Sequence, residues 1–180
     1  MTNRMLPLIT LLALVFASAG LQADSRQHID TKSAEALERL REHSADAGRL
    51  AEAAAGVLIF PDVVKMGFGV GGQYGEGSLL VEGEPVAYYA TAGASFGLQL
   101  GAQYKSEVIL FMTEEALADF RNSQGWEVGI DGSVAIADVG AGGKIDNITA
   151  KQPVVGFIFS NKGLMGSLSF EGSRILRIAR

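Results

Sequence analysis

Glycine alternates with larger residues along much of this chain, and this pattern constrains the fold more than any other feature. In residues 67–74 the even positions are mostly large, whereas Gly67, Gly69 and Gly71 leave the opposite face of the strand bare. The same period of two returns in residues 95–104, 128–137 and 164–171. Glycine inside a strand packs nothing and costs conformational entropy, so its repeated use indicates a bend, a bulge or the close approach of another backbone. We therefore predict a strongly coiled, mostly antiparallel β-sheet, either open or closed into a small barrel.

Proline and turn-forming residues mark the boundaries of the strands. Val57–Phe60 is a continuous apolar run, which is typical of a strand buried on both faces, and Pro61 is predicted to end it. Turn signals at 82–85, 140–143 and 161–163 divide the later strands at intervals typical of hairpins.

Two segments have helical character. Thr31–Ala55 is rich in Ala, Leu, Glu and Arg, which predicts amphipathic helices lying on the sheet. The segment 44–48 is expected to interrupt them, because short polar residues and glycine favour caps and turns. A short inserted helix is predicted after Thr113, its N-cap, with Leu117 and Phe120 facing the sheet. The predicted fold class is therefore α+β.

The first 23 residues have the features of a signal peptide. Arg4 provides a positive charge, residues 8–16 are almost wholly apolar, and small-residue cleavage sites follow. The apolar run falls short of the roughly 20 residues that a membrane-spanning helix needs. Cleavage after Ala19 or Ala23 leaves a single domain, residues 24–180 in the second case. We expect an exported, periplasmic protein that is soluble or peripherally associated with a membrane.

Composition excludes several classes of site. The chain has no cysteine, which rules out a thiol nucleophile, a zinc–thiolate site, an iron–sulfur site and a lipoprotein anchor. Its formal net charge of −5 argues against nucleic acid as a partner. His28 and His43 have no neighbouring cluster with the spacing of a metal site. No cofactor and no metal are therefore implied.

Two short motifs resemble catalytic signatures. Gly67–Gly72 fits the glycine pattern of dinucleotide-binding loops, but the following residues, Gln73–Gly77, cannot start the helix that such a loop requires. Gly93–Gly97 matches the sequence of the nucleophile elbow of hydrolases, in which the serine stands at a strand-to-helix turn and a histidine follows later in the chain. Here Ser95 is predicted to lie in an alternating strand, and both histidines precede it. We predict no catalytic residue and expect a protein that is not an enzyme.

Longer stretches of the chain resemble a known family. They are Gly56–Pro61, Lys65–Gly72, Tyr74–Gly77, Ser95–Leu98, Gly101–Gln103, Phe111–Thr113, Gly163–Met165 and Phe170–Gly172. Together they are similar to the core of the SYLF domain family, from about Thr31 to Ile178. The resemblance implies phospholipid binding; eukaryotic members associate with phosphoinositide membranes, and some fungal members also bind actin. Bacterial members are exported, and this chain lacks the strongly basic N-terminal segment that would hold a polyphosphorylated headgroup.

Basic residues near the C-terminus supply the candidate site. Arg174, Arg177 and Arg180 are predicted to form a small positive patch, with a solvated sheet edge as the alternative. We take Lys65, Arg174 and Arg177 as candidates for contact with a lipid headgroup. The hypothesis is a non-catalytic module of the bacterial envelope that binds phospholipid or another amphipathic ligand at a membrane surface. The alternative is a structural or interaction component of the periplasm with an envelope protein as partner.

Overall fold

The computed structural model describes residues 25–137, 145, 149–160, 163–164, 170 and 172–180, without the side chains of 67–70, 95–102, 149 and 163–164. The predicted signal peptide lies outside the described residues. So do the predicted turn at 140–143 and most of the alternating stretch 164–171.

Helices cover one part of the sheet. The α-helices of the described residues are α1 Arg26–His43, α2 Ala45–Ala53 and α3 Glu114–Asn122, and Thr149–Lys151 form a 3-10 turn. Ser44 separates α1 from α2, and its hydroxyl accepts a hydrogen bond from the backbone N–H of Ala47 at 3.2 Å. Thr113 caps α3, in which Leu117 and Phe120 are buried. The predicted break between the two N-terminal helices, and the predicted cap and buried face of α3, are confirmed. No described helix combines the length and apolar character needed to cross a membrane.

The strands form one mixed, mostly antiparallel sheet, curled into a half-barrel. They are β1 Gly56–Val81, β2 Glu84–Phe111, β3 Trp126–Glu127, β4 Ala135–Ile136, β5 Val154–Ser160, β6 Gly163–Leu164 and β7 Ser173–Ile178. Strand β2 pairs with β1 along one edge. Along its other edge it pairs with β7 through residues 88–93 and with β5 through residues 106–111. The α+β class with a strongly coiled sheet is thus confirmed.

A two-residue turn joins the two long strands. Glu82 and Gly83 have φ values of 53° and 82°, the left-handed conformation that matches the twist of a tight hairpin. The predicted turn at 82–85 is confirmed.

Pro61 does not end its strand, contrary to the sequence-based prediction. Strand β1 continues to Val81, and a register shift between Phe60 and Val63 places two residues opposite Ser106 alone. This bulge accommodates a proline, because the extra residue needs no ladder hydrogen bond. The Ser106 hydroxyl donates to the Pro61 carbonyl oxygen at 2.6 Å and so satisfies it.

The β1–β2 hairpin folds back over itself. A Cβ added at Gly77 would lie 1.9 Å from the Ile59 carbonyl oxygen, and one at Gly75 would lie 2.9 Å from Val63 Cγ2. In a straight strand, residues 12 positions apart would be separated by about 40 Å. The intervening residues 64–74, paired with 92–104, must therefore turn the hairpin around; we call this segment the glycine ribbon. The close backbone approach inferred from the glycines is confirmed.

Two hydrophobic clusters lie on opposite faces of the folded β1–β2 hairpin. One cluster, between the halves of the folded hairpin, includes Leu58, Phe60, Leu79, Ile109 and Phe111, together with Phe120 and Trp126. The other lies between the sheet and α1–α2 and includes Leu40, Ile59, Val108, Phe157 and Phe159. The alternation of these residues explains why the run Val57–Phe60 is buried on both faces, as predicted.

The alternating strand predicted over 128–137 is present only at Ala135–Ile136, which form β4, and the prediction is wrong for the residues before them. Strand β3 ends at Glu127, and the next residues turn: Gly129 has a φ of 93°, and Ile130 is 75% exposed. Asp131 closes this turn, because its carboxylate accepts the backbone N–H of Glu127 at 2.6 Å. A short polar side chain and a glycine therefore override the period-two pattern.

Candidate functional site

The end of the chain lies beside the start of β2 and forms a groove there. Strand β7 runs antiparallel to β2, and its last residue, Ile178, is opposite Tyr88. The groove has a volume of about 600 Å³. It is lined by Arg26, Pro85, Val86, Ala87, Tyr88, Arg177, Ile178, Ala179 and Arg180. We call it the arginine groove; its lining contains three guanidinium groups and no acidic residue.

One of the three arginines is neutralised by an ion pair. Arg180 Nε donates to Glu76 Oε2 at 3.2 Å, and its Nη2 donates to Glu76 Oε1. Such a two-point contact holds both side chains in a fixed geometry. Arg180 thus fastens the chain end to β1 and forms a fixed wall of the groove.

A tyrosine and the first residue of α1 form a second wall. The guanidinium carbon of Arg26 lies 5.8 Å from the centre of the Tyr88 ring, within the range of a cation–π contact. The Tyr88 hydroxyl donates to Asp30 Oδ2 at 2.9 Å. Burial, followed by this hydrogen bond, raises the pKa of Tyr88 above its usual value, so the hydroxyl remains a donor at neutral pH. The hydrogen bond holds the ring in place under Arg26.

Arg177 is the most available cation of the groove. Its side chain is exposed, and it forms no ion pair or hydrogen bond with the part of the chain that the structure describes. Apolar groups stand beside it, including Val86, which is 45% exposed. A guanidinium group binds phosphate oxygens in a two-point geometry. The groove can therefore hold a phosphate against an apolar wall.

The three residues predicted as headgroup contacts lie in separate places. Arg177 lines the groove together with Arg180. Arg174 lies opposite Glu127 of β3, and its guanidinium group is next to Gly125. Lys65 lies on the glycine ribbon, opposite Gln103. Arg26 was missed, because only the packing of α1 against the sheet brings this residue to β7, and the sequence carries no signal of that contact.

A buried ion pair lies elsewhere in the sheet. Lys105 Nζ is 2.7 Å from Glu107 Oε1, and the two side chains are only 6% and 1% exposed. In the hairpin register they lie opposite Val63 and Phe60, which belong to the cluster between the hairpin halves. Burial raises the pKa of Glu107, and the neighbouring Lys105 ammonium opposes that rise. The pair is therefore held in an apolar setting.

The two motifs that resemble catalytic signatures lie within strands. Gly67–Gly72 is part of β1, and Ser95 lies inside β2, where it pairs with Gly71. Neither stands at the strand-to-helix turn that the corresponding loop or elbow requires. The structure thus agrees with the interpretation of both as strand residues.

The structure defines an α+β domain in which a folded β-hairpin carries an arginine-lined groove. A family model described as "Ysc84: Las17-binding protein actin regulator" matches residues 92–178. This match, over just under half of the chain, supports the resemblance to the SYLF domain family seen in the sequence. The matched segment includes Arg174 and Arg177, whereas Lys65 and Arg26 precede it. No curated protein matches the chain.

Proposed function

We propose that the protein is an exported binding module of the bacterial envelope that holds the anionic headgroup of a phospholipid, or of a similar amphipathic ligand, in the arginine groove. The exposed guanidinium group of Arg177, which forms no ion pair with a described residue and lies beside an apolar wall, is the observation that carries this proposal. The similarity to the SYLF family is consistent with lipid binding in general. Because the protein as a whole is acidic, with a formal net charge of −5, attraction to an anionic surface has to come from a local patch.

The three arginines of the groove have different roles. Arg180 is occupied by Glu76, so it shapes the site more than it attracts a ligand. Arg26 and Arg177 are left to contact phosphate oxygens, while Val86 and Pro85 offer contact to the glycerol or acyl part of a lipid.

Co-sedimentation with vesicles tests the proposal. The mature chain is expected to pellet with phosphatidylglycerol vesicles at low salt, to pellet less as salt screens the charges, and to remain in solution with phosphatidylcholine vesicles. Arg177→Ala should weaken binding by about fivefold, because each basic residue near an anionic surface contributes about 1 kcal/mol. Equal pelleting with both lipids, or none with either, would contradict the proposal.

Arg174 provides the matched control. It is an arginine of the same strand, it is also exposed, and it lies outside the groove. Arg174→Ala should therefore bind vesicles as the unmodified protein does. If both variants lose affinity equally, the attraction comes from the edge of β7 as a whole and the groove plays no special part.

A second candidate function is that of an interaction component of the envelope. Met66 and Tyr104, on the glycine ribbon, are 58% and 67% exposed although both are large and apolar. Such side chains are enriched where proteins meet partners. Crosslinking in intact cells, followed by mass spectrometry, distinguishes the two functions: one discrete protein partner favours this candidate, and recovery of lipid alone favours the first.

A further inference from the structure

The glycine ribbon extends beyond the part of the hairpin that other described strands flank. Strand β2 pairs with β7 through residues 88–93 and with β5 through residues 106–111, so neither strand reaches residues 94–105. Strand β1 pairs with β2 alone among the described strands. The ribbon is therefore two-stranded along most of its length. A two-stranded ribbon is only marginally stable in water, and it gains from a surface that covers one of its faces.

Two large apolar side chains are exposed on one face of the ribbon. In the hairpin register Tyr104 lies opposite Val64, and Met66 is two residues further along β1. Opposite residues share a face of the sheet, as do residues two apart, so these three side chains stand together; we call them the ribbon patch. Tyr104 is 67% exposed, Met66 is 58% exposed and Val64 is half-buried. The described part of the chain thus leaves most of Tyr104 and Met66 uncovered.

The ribbon carries almost no charge, which is an independent sign of what it meets. Residues 64–74 and 92–104 contain one charged residue, Lys65, and no acid, although 19% of the whole chain is charged and its formal net charge is −5. The sequence of the ribbon also contains Phe68, Val70, Phe96, Leu98 and Leu100. Contact with an anionic, apolar surface therefore brings no repulsion between acids and no cost of burying one.

These features favour a bilayer over a protein as the partner of the ribbon patch. A protein interface usually has a polar rim around its apolar centre, and the ribbon supplies one charged group, Lys65, for such a rim. Tyrosine and lysine are side chains that lie at the level of lipid headgroups, with the apolar part buried and the polar end hydrated. We propose that the ribbon patch inserts into the interfacial layer of a phospholipid bilayer. This inference rests on the proposed membrane-binding function and adds a contact separate from the arginine groove.

The backbone of the ribbon limits the depth of insertion. Its outer edges carry N–H and C=O groups that no described strand pairs. Such groups are costly in the hydrocarbon core, where water cannot satisfy them. The ribbon backbone therefore stays at the hydrated level of the headgroups, and only the side chains of the ribbon patch reach the boundary with the acyl chains.

Quenching by spin-labelled lipids tests this depth. A fluorophore is attached to the mature chain through Met66→Cys or, as a control, through Ile130→Cys; Ile130 is 75% exposed in the turn after β3, outside the ribbon. On phosphatidylglycerol vesicles at low salt, a nitroxide on the acyl chain close to the headgroup should quench the label at position 66 strongly. A nitroxide near the bilayer centre should quench it less, and neither should quench the label at position 130.

Two results overturn the proposal. One is equal quenching at both positions, and the other is an unquenched label at position 66 while the protein pellets fully with the vesicles. In the second case the arginine groove still binds lipid, so failure of the ribbon contact is distinguished from failure of the proposed function. If the unmodified chain does not pellet with these vesicles, both proposals are wrong.

A charged substitution measures how much the ribbon patch contributes to binding. Met66→Glu removes the apolar contact and places an acid at the membrane, so it should weaken binding to phosphatidylglycerol vesicles by at least about tenfold. Ile130→Glu is the matched control, because it changes the net charge equally at another exposed apolar residue. It should weaken binding by less than about threefold. Unchanged Trp126 emission shows that each variant is folded, and equal losses in the two variants would contradict the proposal.

Other occupants of the ribbon patch give different results. If a protein covers it, Met66→Glu should bind vesicles normally and lose a discrete crosslinked partner in intact cells. If a second copy of the chain covers it, the label at position 66 should be shielded without vesicles, and more so at higher protein concentration. Either result overturns the bilayer contact. Arg177→Ala, at a lipid concentration that restores full binding, should leave the quenching at position 66 unchanged, which separates this contact from the arginine groove.

Discussion

Replacing Gly77 with alanine is expected to prevent the β1–β2 hairpin from folding over itself. The added Cβ would lie 1.9 Å from the Ile59 carbonyl oxygen and 2.7 Å from the Phe60 ring. Backbone atoms cannot move aside as a flexible side chain can, so the two halves of the hairpin would have to separate. We expect a loss of at least about 3 kcal/mol in the free energy of unfolding, at the upper end of what overpacking costs. Urea unfolding followed by Trp126 fluorescence measures it.

Gly72→Ala is the matched control for this prediction. Gly72 lies in the same strand, and a Cβ there would meet only the Gly93 carbonyl oxygen at 3.6 Å, an ordinary contact. Alanine at this position should change stability by less than about 1 kcal/mol and could increase it, because glycine carries an entropic cost in a strand. If both variants unfold at the same urea concentration, the close approach within β1 is not what stabilises the fold.

Lys105→Met should have an effect of similar size for an electrostatic reason. The substitution leaves Glu107 buried at 1% exposure without its positive partner. Removing one member of a buried ion pair costs about 3–5 kcal/mol, since the remaining charge is neither solvated nor compensated. The double variant Lys105→Met, Glu107→Leu should recover most of this loss, because an apolar pair of similar volume suits the surrounding cluster. A double variant as unstable as the single one would show that Lys105 acts mainly through packing.

The pH dependence of the Lys105→Met variant provides a further check. Burial already raises the pKa of Glu107, and loss of the lysine removes the main influence that opposes the rise. The folded state then retains the Glu107 proton at pH values where the unfolded state has lost it. The stability that this proton provides is complete below the usual pKa of glutamate and is lost as pH rises through the raised value. The variant should therefore regain stability as the pH falls through the raised pKa of Glu107 towards the usual pKa of glutamate. Adding Glu107→Gln should remove the dependence.

Much of the fold follows from local patterns in the sequence. The tight turn needs Gly83, the break between α1 and α2 needs a cap such as Ser44, and α3 begins at Thr113; each signal is contained within a few residues. The glycine alternation also indicated a bend and a close approach. It could not indicate where the backbone approaches, because the partner of Gly77 is Ile59 in the same strand, and only the folded hairpin brings them together.

The two wrong predictions, at Pro61 and after β3, have a similar cause: each depends on a contact between residues that the local pattern does not reveal. Proline was expected to end a strand, but the bulge at Pro61 depends on Ser106, which lies in the other strand of the hairpin. The turn after β3 replaced an expected strand because Asp131 reaches back to Glu127, a contact that a period-two pattern does not reveal. In both cases a polar side chain decided the local structure.

The candidate site was only partly visible in the sequence. Arg177 and Arg180 are close neighbours in the chain, so a positive patch could be predicted from their spacing. Arg26 and Glu76 belong to distant elements, and their places beside β7 depend on the tertiary fold. Arg174 and Arg177 look equivalent in the sequence, whereas the structure places only Arg177 in the groove.

If the arginine groove is the surface that meets anionic phospholipid, as proposed, a fluorescent label attached in the groove should report the contact. The chain contains no cysteine, so a single introduced cysteine can carry an environment-sensitive fluorophore. The label is placed in the groove by Val86→Cys and, as a control, on the exposed face of α3 by Ala118→Cys. With phosphatidylglycerol vesicles at low salt, the Val86→Cys label should shift to the blue and the Ala118→Cys label should not. An unchanged spectrum at position 86, or the same shift at both positions, would contradict the account.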